Sequence, residues 1–257
     1  MLRLEHICKT FNQGTVNETT LFTDFNLTVN KGEFIAVVGS NGSGKTTILN
    51  MICGTIPIDS GDILVQGKSI MKLKEYQRSK FIGRVFQDPS KGTCPSMSIL
   101  QNMAMADNKG KAFNLTGGVN KKRINYYQEQ LSRLKLGLED KLHVKVGALS
   151  GGQRQAMALL MSTMTPLDFL ILDEHTAALD PKTSEIIMEL TNELVKEKKL
   201  TTLMVTHNLR HAVEYGNRLV MMHQGHAILD LDAEKKAATQ VDDILTIFND
   251  ISVECGN

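Results

Sequence analysis

The sequence predicts an α/β fold with a mainly parallel sheet, an N-terminal antiparallel β layer and an inserted helical sub-domain. Three observations support this prediction. Short apolar runs alternate with helical segments, as in parallel α/β cores. A glycine-rich loop joins one of these runs to a helix. Between residues 88 and 163 the apolar runs give way to helical character. We therefore expect a single domain over 1–257, with a β core at 1–87 and 164–257 and the helical sub-domain at 88–163.

The first third of the chain is rich in predicted strands. Residues 2–7, 21–29 and 34–38 are apolar or alternating runs bounded by turn residues. After a helix and a turn come two further runs, at 62–65 and 81–86. Because runs of this length and composition favour extended structure, we expect five strands here.

A complete phosphate-binding loop follows the run at 34–38. Residues 39–46 fit the pattern G-x-x-x-x-G-K-[ST] and lead into a predicted helix at 46–53. Backbone N–H groups and the positive end of the helix form a cradle for polyphosphate in such a loop, which predicts a P-loop NTPase core. We expect Lys45 to neutralise the β- and γ-phosphates and the Thr46 hydroxyl to bind Mg²⁺. The predicted nucleotide-binding residues here are Gly39, Ser40, Asn41, Gly42, Ser43, Gly44, Lys45, Thr46 and Thr47.

The segment after residue 88 is predicted to be mostly helical. Residues 97–105 and 121–136 look helical, and a third helix is expected at 153–163. The stretch between the first two helices is rich in Gly and Asn. We expect a surface loop there, around residues 116–118.

The third predicted helix is preceded by the run Leu-Ser-Gly-Gly-Gln at 149–153. A Ser-Gly-Gly run that opens a helix offers backbone donors and the Ser150 hydroxyl to an anion. A simple helix cap by Ser150 is the alternative. Because this run lies on a separate helical arm, we expect it to close the nucleotide of a second molecule, which predicts a dimer with two ATP molecules at its interface. The residues concerned are Ser150, Gly151, Gly152 and Gln153.

A near-continuous apolar run at 168–172 predicts a strand buried on both faces, and Asp173 and Glu174 follow it. Ligands of open α/β sheets bind at the carboxyl ends of the strands. We expect Asp173 to hold Mg²⁺ and Glu174 to polarise a water aimed at the γ-phosphate. The alternative is a pair of acids that merely favours a helix N-terminus.

The remaining residues predict further strand–helix alternation. Helices are expected at 181–196, 208–215 and 241–248 and strands at 201–206, 218–223 and 226–231.

Composition limits the functions to be considered. Lys and Arg number 29 against 28 Asp and Glu, so the net charge of +1 gives no field that would attract nucleic acid. No apolar stretch approaches the roughly 20 residues that span a bilayer, and the first residues lack a signal-peptide core. The four cysteines are scattered, which predicts reduced thiols in a cytosolic protein.

Taken in order and spacing, these motifs resemble those of ABC-transporter ATP-binding subunits, importers in particular. The resemblance covers residues 2–231 and includes the phosphate loop, Gln87, LSGGQ, the strand ending in Asp173-Glu174, and His207. It implies that Gln87 joins the Mg²⁺ site to the helical sub-domain, and that His207 contacts the γ-phosphate and positions the water. It also implies that Asp180 helps to join the two sites of the dimer.

Two further positions are interpreted through the resemblance. An aromatic residue is expected near position 11 to stack on adenine, and Phe11 fits, although it can instead pack in the β layer. After Glu174 the family usually has proline, whereas this chain has His175. That histidine either tunes a pH response or fills space. Similar runs occur in a branch of importers with lipoprotein-like binding proteins, some of them for aromatic amino acids.

The resemblance implies an Mg²⁺-dependent ATPase that powers uptake of a small solute. Its expected partners are a second ATPase subunit, integral membrane permease subunits at the cytoplasmic face of the membrane, and an extracytoplasmic substrate-binding protein. Nucleic acid is not expected. The alternatives are a soluble ABC-type ATPase acting on the ribosome or DNA, which usually has two cassettes or a basic surface, and a nucleotide-binding scaffold without turnover.

Overall fold

The computed structural model describes residues 1–111 and 117–254. The surface loop predicted around residues 116–118 therefore begins outside the described residues. Within this part of the chain, two β-sheets and the helices that pack on them form an α/β fold, as the sequence predicts.

A six-stranded sheet forms the centre of the fold, in the order β10-β9-β3-β8-β7-β6. All neighbouring pairs are parallel except β9 and β10, which form an antiparallel hairpin. Every residue of β3, β7 and β8 is buried, which explains why their sequences are continuous apolar runs. The strands are β3 Phe34–Gly39, β6 Ile82–Val85, β7 Phe169–Asp173, β8 Thr202–Val205, β9 Arg218–His223 and β10 His226–Leu231.

A second, antiparallel sheet of four strands has the order β2-β1-β4-β5. Its apolar side chains share one core cluster with one face of the central sheet and with helix α1, Lys45–Cys53. Helix α1 is thus held between the two sheets, and this fixes the direction in which its N-terminus points. The strands are β1 Leu2–Phe11, β2 Thr19–Val29, β4 Ser60–Val65 and β5 Lys68–Ser69.

Three helices lie between β6 and β7 in the chain and contribute to the second core cluster. They are α3 Ile99–Asp107, α4 Ile124–Ser132 and α5 Gly151–Ser162, accompanied by 3₁₀ turns at Pro89–Gly92, Lys121–Arg123 and Val146–Ala148. The helix predicted at 121–136 is shorter than expected, because its first three residues form a 3₁₀ turn and Lys135 has a left-handed φ of 54°.

The other helices are α2 Glu75–Arg78, α6 Pro181–Lys198, α7 Leu209–Glu214, α8 Ala233–Ala238 and α9 Val241–Glu254. Helices α2 and α8 were not predicted, and β1 extends four residues beyond its predicted end at Ile7 because Phe11 still pairs with Thr19. Across residues 1–111 and 117–254, no helix combines the length and apolarity needed to cross a bilayer.

Candidate nucleotide site

The phosphate loop leaves β3 at the centre of the sheet and enters α1, and two of its glycines are required by space. Gly39 has φ 152°, and a Cβ there would lie 2.1 Å from the carbonyl oxygen of Met222. Gly44 has φ 100°, and a Cβ there would lie 2.4 Å from the Phe22 ring. A side chain at either position would displace the loop from the strands that support it.

The N-terminus of α1 is open to an anion. Its N-cap residue is Gly44, no side chain caps it, and its first turn contains no acidic residue. Helices α3, α5 and α6, in contrast, are capped by Ser98, Ser150 and Asp180. The free N–H groups and the positive end of the α1 dipole are therefore available to a phosphate group.

Lys45 folds back onto the loop. Its Nζ donates to the carbonyl oxygens of Gly39 at 2.8 Å and Ser40 at 2.9 Å, and the residue is only 6% exposed. Burial lowers the pKa of Lys45, and the negative charge of Glu174 partly opposes this shift. The ammonium group thus already lies at the loop, where a phosphate would compete with two carbonyl groups for it.

The turn between β9 and β10 supports the phosphate loop. The Gly225 N–H donates to the Ser43 carbonyl at 3.2 Å, and Ser40 Oγ lies 3.2 Å from His223 Nδ1. A Cβ on Gly225 would lie 1.7 Å from the Leu21 carbonyl oxygen. The sequence predicts the strands at 218–223 and 226–231 that flank Gly225 but not this contact, because no motif joins residues 43 and 225.

Asp173 lies at the carboxyl end of β7 and is 8% exposed. Its Oδ2 accepts a hydrogen bond of 2.6 Å from Nη2 of Arg84, on the neighbouring strand β6. The guanidinium of Arg84 also lies over the Phe86 ring, 4.6 Å from its centroid. Sequence analysis missed Arg84. The signal was an arginine within an otherwise apolar strand, which requires a partner when it is buried.

Glu174 and His207 are brought together at the ends of adjacent strands β7 and β8. Nε2 of His207 lies 2.6 Å from Oε1 of Glu174, and the side chains are 46% and 14% exposed. An open cleft of about 430 Å³ adjoins them. Its lining includes Glu174, Thr176, Ser184, Glu185, His207 and Asn208.

His175, next to Glu174, points into the protein and is 2% exposed. Burial, followed by the charge of His211, lowers the pKa of His175 to about 3. Of the two interpretations of this histidine, the pH response loses its basis near neutrality because the ring is already uncharged there. The ring lies 3.1 Å from the Thr191 hydroxyl on α6, so it does more than fill space.

Gln87 is exposed just beyond β6. The carbonyl of the preceding residue, Phe86, accepts a hydrogen bond of 3.0 Å from Nε2 of Gln155, a fully buried residue of α5. The main chain immediately before Gln87 is therefore hydrogen bonded to α5, the helix that begins with the LSGGQ run.

The LSGGQ run begins α5 with reciprocal hydrogen bonds between Ser150 and Gln153. Ser150 Oγ accepts from the Gln153 N–H at 3.2 Å, and Gln153 Oε1 accepts from the Ser150 N–H at 3.1 Å. This is the helix cap that sequence analysis held as the alternative to an anion site. A Cβ on Gly152 would lie 2.3 Å from Thr183 Cγ2, so this glycine allows α5 to approach α6 closely.

Two predicted residues lie at other edges of the site. Asp180 is exposed and caps α6, with Oδ1 accepting from the Thr183 N–H at 3.0 Å. Interaction with the Thr183 side chain, followed by this main-chain hydrogen bond, lowers the pKa of Asp180. Phe11 ends β1 and is partly exposed, with Lys9 Nζ 5.4 Å from its ring centroid.

The donor set at the loop fits Mg²⁺. Among the residues that the structure describes, no group of three His, Cys, Asp or Glu side chains can hold a metal ion. Mg²⁺ does not need one, since it is usually bound by one or two carboxylates together with water and substrate phosphates. Asp173 and the exposed Thr46 supply hard oxygen donors of this kind.

Comparison with known proteins identifies the family of the chain. Residues 22–177 match the ABC transporter family. The chain is 46% identical to the tyrosine transport ATP-binding protein of Clostridioides difficile (strain R20291) over 248 residues, covering 96% of this chain and 98% of that protein. It is 29% identical to the phosphonates import ATP-binding protein PhnC of Lactococcus lactis subsp. lactis (strain IL1403), covering 95% and 98% of the two chains.

Solved structures agree. The dimeric ATP-binding cassette MJ0796, bound to ADP and Pi in a post-hydrolysis state, superposes with a TM-score of 0.76 at 28% identity, covering 91% of this chain and 99% of that one. The cassette MJ1267 in its ADP conformation gives a TM-score of 0.80 at 25% identity and covers 100% and 99%. The resemblance inferred from the motifs is thus confirmed: the chain belongs to the ABC transporter family and is an ATP-hydrolysing cassette of the importer type.

Proposed function

We propose that this cassette powers the uptake of a small solute, in the first place an aromatic amino acid, through a separate membrane permease. The catalytic part of the proposal rests on the contact of 2.6 Å between Glu174 and His207. It also rests on the uncapped N-terminus of α1, which can bind phosphate. The identity of 46% to a tyrosine transport protein supports the substrate class.

In this proposal the phosphate loop binds ATP through the free N–H groups of α1 and the Lys45 ammonium, and Phe11 stacks on adenine. Thr46, Asp173 and the Gln87 amide oxygen hold Mg²⁺, which neutralises phosphate charge when bound. Asp173 stays oriented because Arg84 occupies its Oδ2.

Glu174 accepts the proton of the attacking water at a carboxylate oxygen. His207 Nε2 lies 2.6 Å from Glu174 Oε1 in this structure, so the imidazole is placed to orient the carboxylate. With its side chain 46% exposed, His207 can also turn toward the γ-phosphate that the resemblance assigns to it.

The proposed assembly contains two copies of the cassette. The N-terminus of α5 and the loop at Asp180 are at the surface, where a second copy can contact them. Residues 88–105 are the proposed docking segment for permease subunits at the cytoplasmic face of the membrane, and an extracytoplasmic binding protein delivers the solute. The relatives reported above are named as transport or import subunits, so they give no support to action on the ribosome or DNA.

The test has two arms. Glu174→Gln should keep ATP binding but reduce steady hydrolysis by about a hundredfold or more, because the proton acceptor is lost. Unchanged turnover would remove Glu174 from its role. For the cargo, deletion of this cassette should abolish uptake of labelled tyrosine by cells, and uptake should return with the wild-type chain but not with Glu174→Gln. Undiminished tyrosine uptake in the deletion strain contradicts the proposed substrate class.

A further inference from the structure

The turn that carries Glu174 is strained. Glu174 has a left-handed φ of 48°, a conformation that costs a non-glycine residue about 1–3 kcal/mol and persists only where the surroundings enforce it. Two main-chain hydrogen bonds restrain it: the Glu174 N–H donates to the Val205 carbonyl of β8, and the Glu174 carbonyl accepts from the Ala177 N–H, each at 2.9 Å. The residue that follows supplies a third restraint.

The third restraint is a side-chain hydrogen bond between His175 and Thr191. His175 Nε2 lies 3.1 Å from Thr191 Oγ1, and the two residues are 2% and 0% exposed. Thr191 Oγ1 lies 2.7 Å from the Ile187 carbonyl oxygen, which can only accept. Since a hydroxyl has one proton, the Thr191 hydroxyl donates to Ile187 and accepts from His175. His175 therefore carries its proton on Nε2.

Helix α6, which receives this bond, also contacts other parts of the site. Its residue Thr183 packs against Gly152 of the LSGGQ run, and its Glu185 lies 3.1 Å from His211 Nε2 on α7, the helix that follows His207. A tether from the Glu174 turn to α6 thus fixes the carboxylate relative to both neighbouring motifs.

We infer that His175 is a positioning residue: its hydrogen bond to Thr191 holds the strained turn so that Glu174 stays within reach of the water it activates. This inference rests on the proposed role of Glu174. Thr191 lies on α6, outside both the phosphate loop and the LSGGQ run. Its hydroxyl is nevertheless necessary for the full catalytic rate.

Thr191→Val removes the hydroxyl and keeps the shape of the side chain. The buried His175 N–H loses its acceptor, and the turn keeps its main-chain bonds but loses the side-chain bond that ties it to α6. We expect kcat for ATP hydrolysis to fall about tenfold while KM for ATP changes less than about twofold, since a misplaced catalytic group affects the reaction more than binding. Thr191→Ser keeps the hydroxyl as an acceptor, and its kcat should stay within about twofold of wild type.

Thr163→Val is the matched control. Thr163 is also a buried threonine whose hydroxyl bonds main-chain carbonyls, those of Leu159 and Leu160 at the C-terminal end of α5. This variant should keep wild-type kcat. If Thr191→Val does not fold, Thr191→Ala serves in its place with the same expected loss.

A second readout is independent of turnover. In the ¹⁵N spectrum of the histidine-labelled, nucleotide-free chain, His175 should show a protonated Nε2, and Thr191→Val should shift that resonance. Wild-type kcat in Thr191→Val, a parallel rise in KM, or a His175 protonated on Nδ1 alone would each overturn the inference. If Glu174→Gln keeps its turnover, the proposed function fails instead, so the two failures are distinguishable.

Discussion

Arg84 and Asp173 form an ion pair that lies largely out of solvent, with side chains 13% and 12% exposed. Two nearby groups share this environment. Burial raises the pKa of the Cys53 thiol on α1 to about 11, although the positive charge of Arg84 favours the thiolate, so the thiol stays protonated. The Phe86 ring covers the guanidinium. Arg84 therefore links β6 to β7 and influences the last residue of α1.

Arg84→Met should destabilise the protein by about 3 kcal/mol, because it leaves the Asp173 carboxylate buried without its partner. Urea unfolding of the nucleotide-free chain measures this loss as a lower midpoint. Arg84→Lys keeps the charge but loses the planar guanidinium over Phe86, and it should recover only part of the stability. A variant with Met at position 84 and an unchanged midpoint would show that the pair contributes nothing.

The contacts between individual site residues could not be predicted from the sequence. Glu174 was identified because it follows an apolar strand and His207 through the family resemblance, but their contact of 2.6 Å depends on β7 and β8 being neighbours. Strand order is a long-range property, and the sequence does not state it. The same reason hid Arg84, whose partner lies 89 positions away.

Among the elements, helix α1 is capped differently at its two ends. The N-terminus is left uncapped, whereas Arg78 covers the C-terminus. Arg78 is 4% exposed, and its Nη1 donates to the carbonyls of Met51 at 2.8 Å and Ile52 at 3.0 Å. Burial lowers the pKa of Arg78, and the negative end of the helix dipole compensates for the buried charge. The nucleotide-binding helix is thus fixed at the end away from its ligand.

Arg78→Leu should lower the free energy of unfolding by about 2 kcal/mol, because two helix carbonyls lose a charged donor in a buried position. Chemical denaturation followed by circular dichroism measures the change. Lys122→Leu, an exposed residue, is the control and should stay within about 0.5 kcal/mol of wild type. Equal stability of the two variants would argue against the cap.

Elements with a strong local signal were predicted well. The strands at Arg218–His223 and His226–Leu231 have the predicted limits, and β3 and β7 agree to within one residue at each end. Helices α2 and α8 were missed because they are short and carry no apolar stripe: the residue that each of them buries is charged, Arg78 in α2 and Lys236 in α8. Their formation depends on tertiary contacts, such as the bonds from Lys236 of α8 to the carbonyls of Val213, Tyr215 and Gly216.

At the scale of the whole molecule, the site residues fall into two groups. Lys45, Asp173, Glu174 and His207 lie at the carboxyl edge of the central sheet. The LSGGQ run instead begins a helix of the inserted segment, and its glycine contact goes to Thr183 on α6. The orientation of the LSGGQ run is therefore fixed by its own helix cap and by its contact with α6. We propose that a second copy of the chain supplies the nucleotide that the run contacts.

Ser150→Phe should prevent ATP-dependent dimerisation, because a bulky side chain at the start of α5 blocks the approach of the partner. The experiment uses Glu174→Gln as the parent, which holds ATP without turnover in the proposed mechanism. Light scattering should give the parent twice the mass of the 28.5 kDa chain when ATP and Mg²⁺ are present. The Ser150→Phe derivative should stay at the single-chain mass under the same conditions.

The control has to separate bulk at the interface from loss of a helix cap, which alone costs about 1 kcal/mol. Ser98 provides it, because it caps α3 through the same reciprocal bonds, with Gln101 in the place of Gln153. Ser98→Phe in the same parent loses an equivalent cap at another surface and should still double its mass with ATP. If both variants stay single, the effect belongs to helix capping. If Ser150→Phe dimerises like its parent, the LSGGQ run does not lie between two copies, and the proposed shared site is wrong.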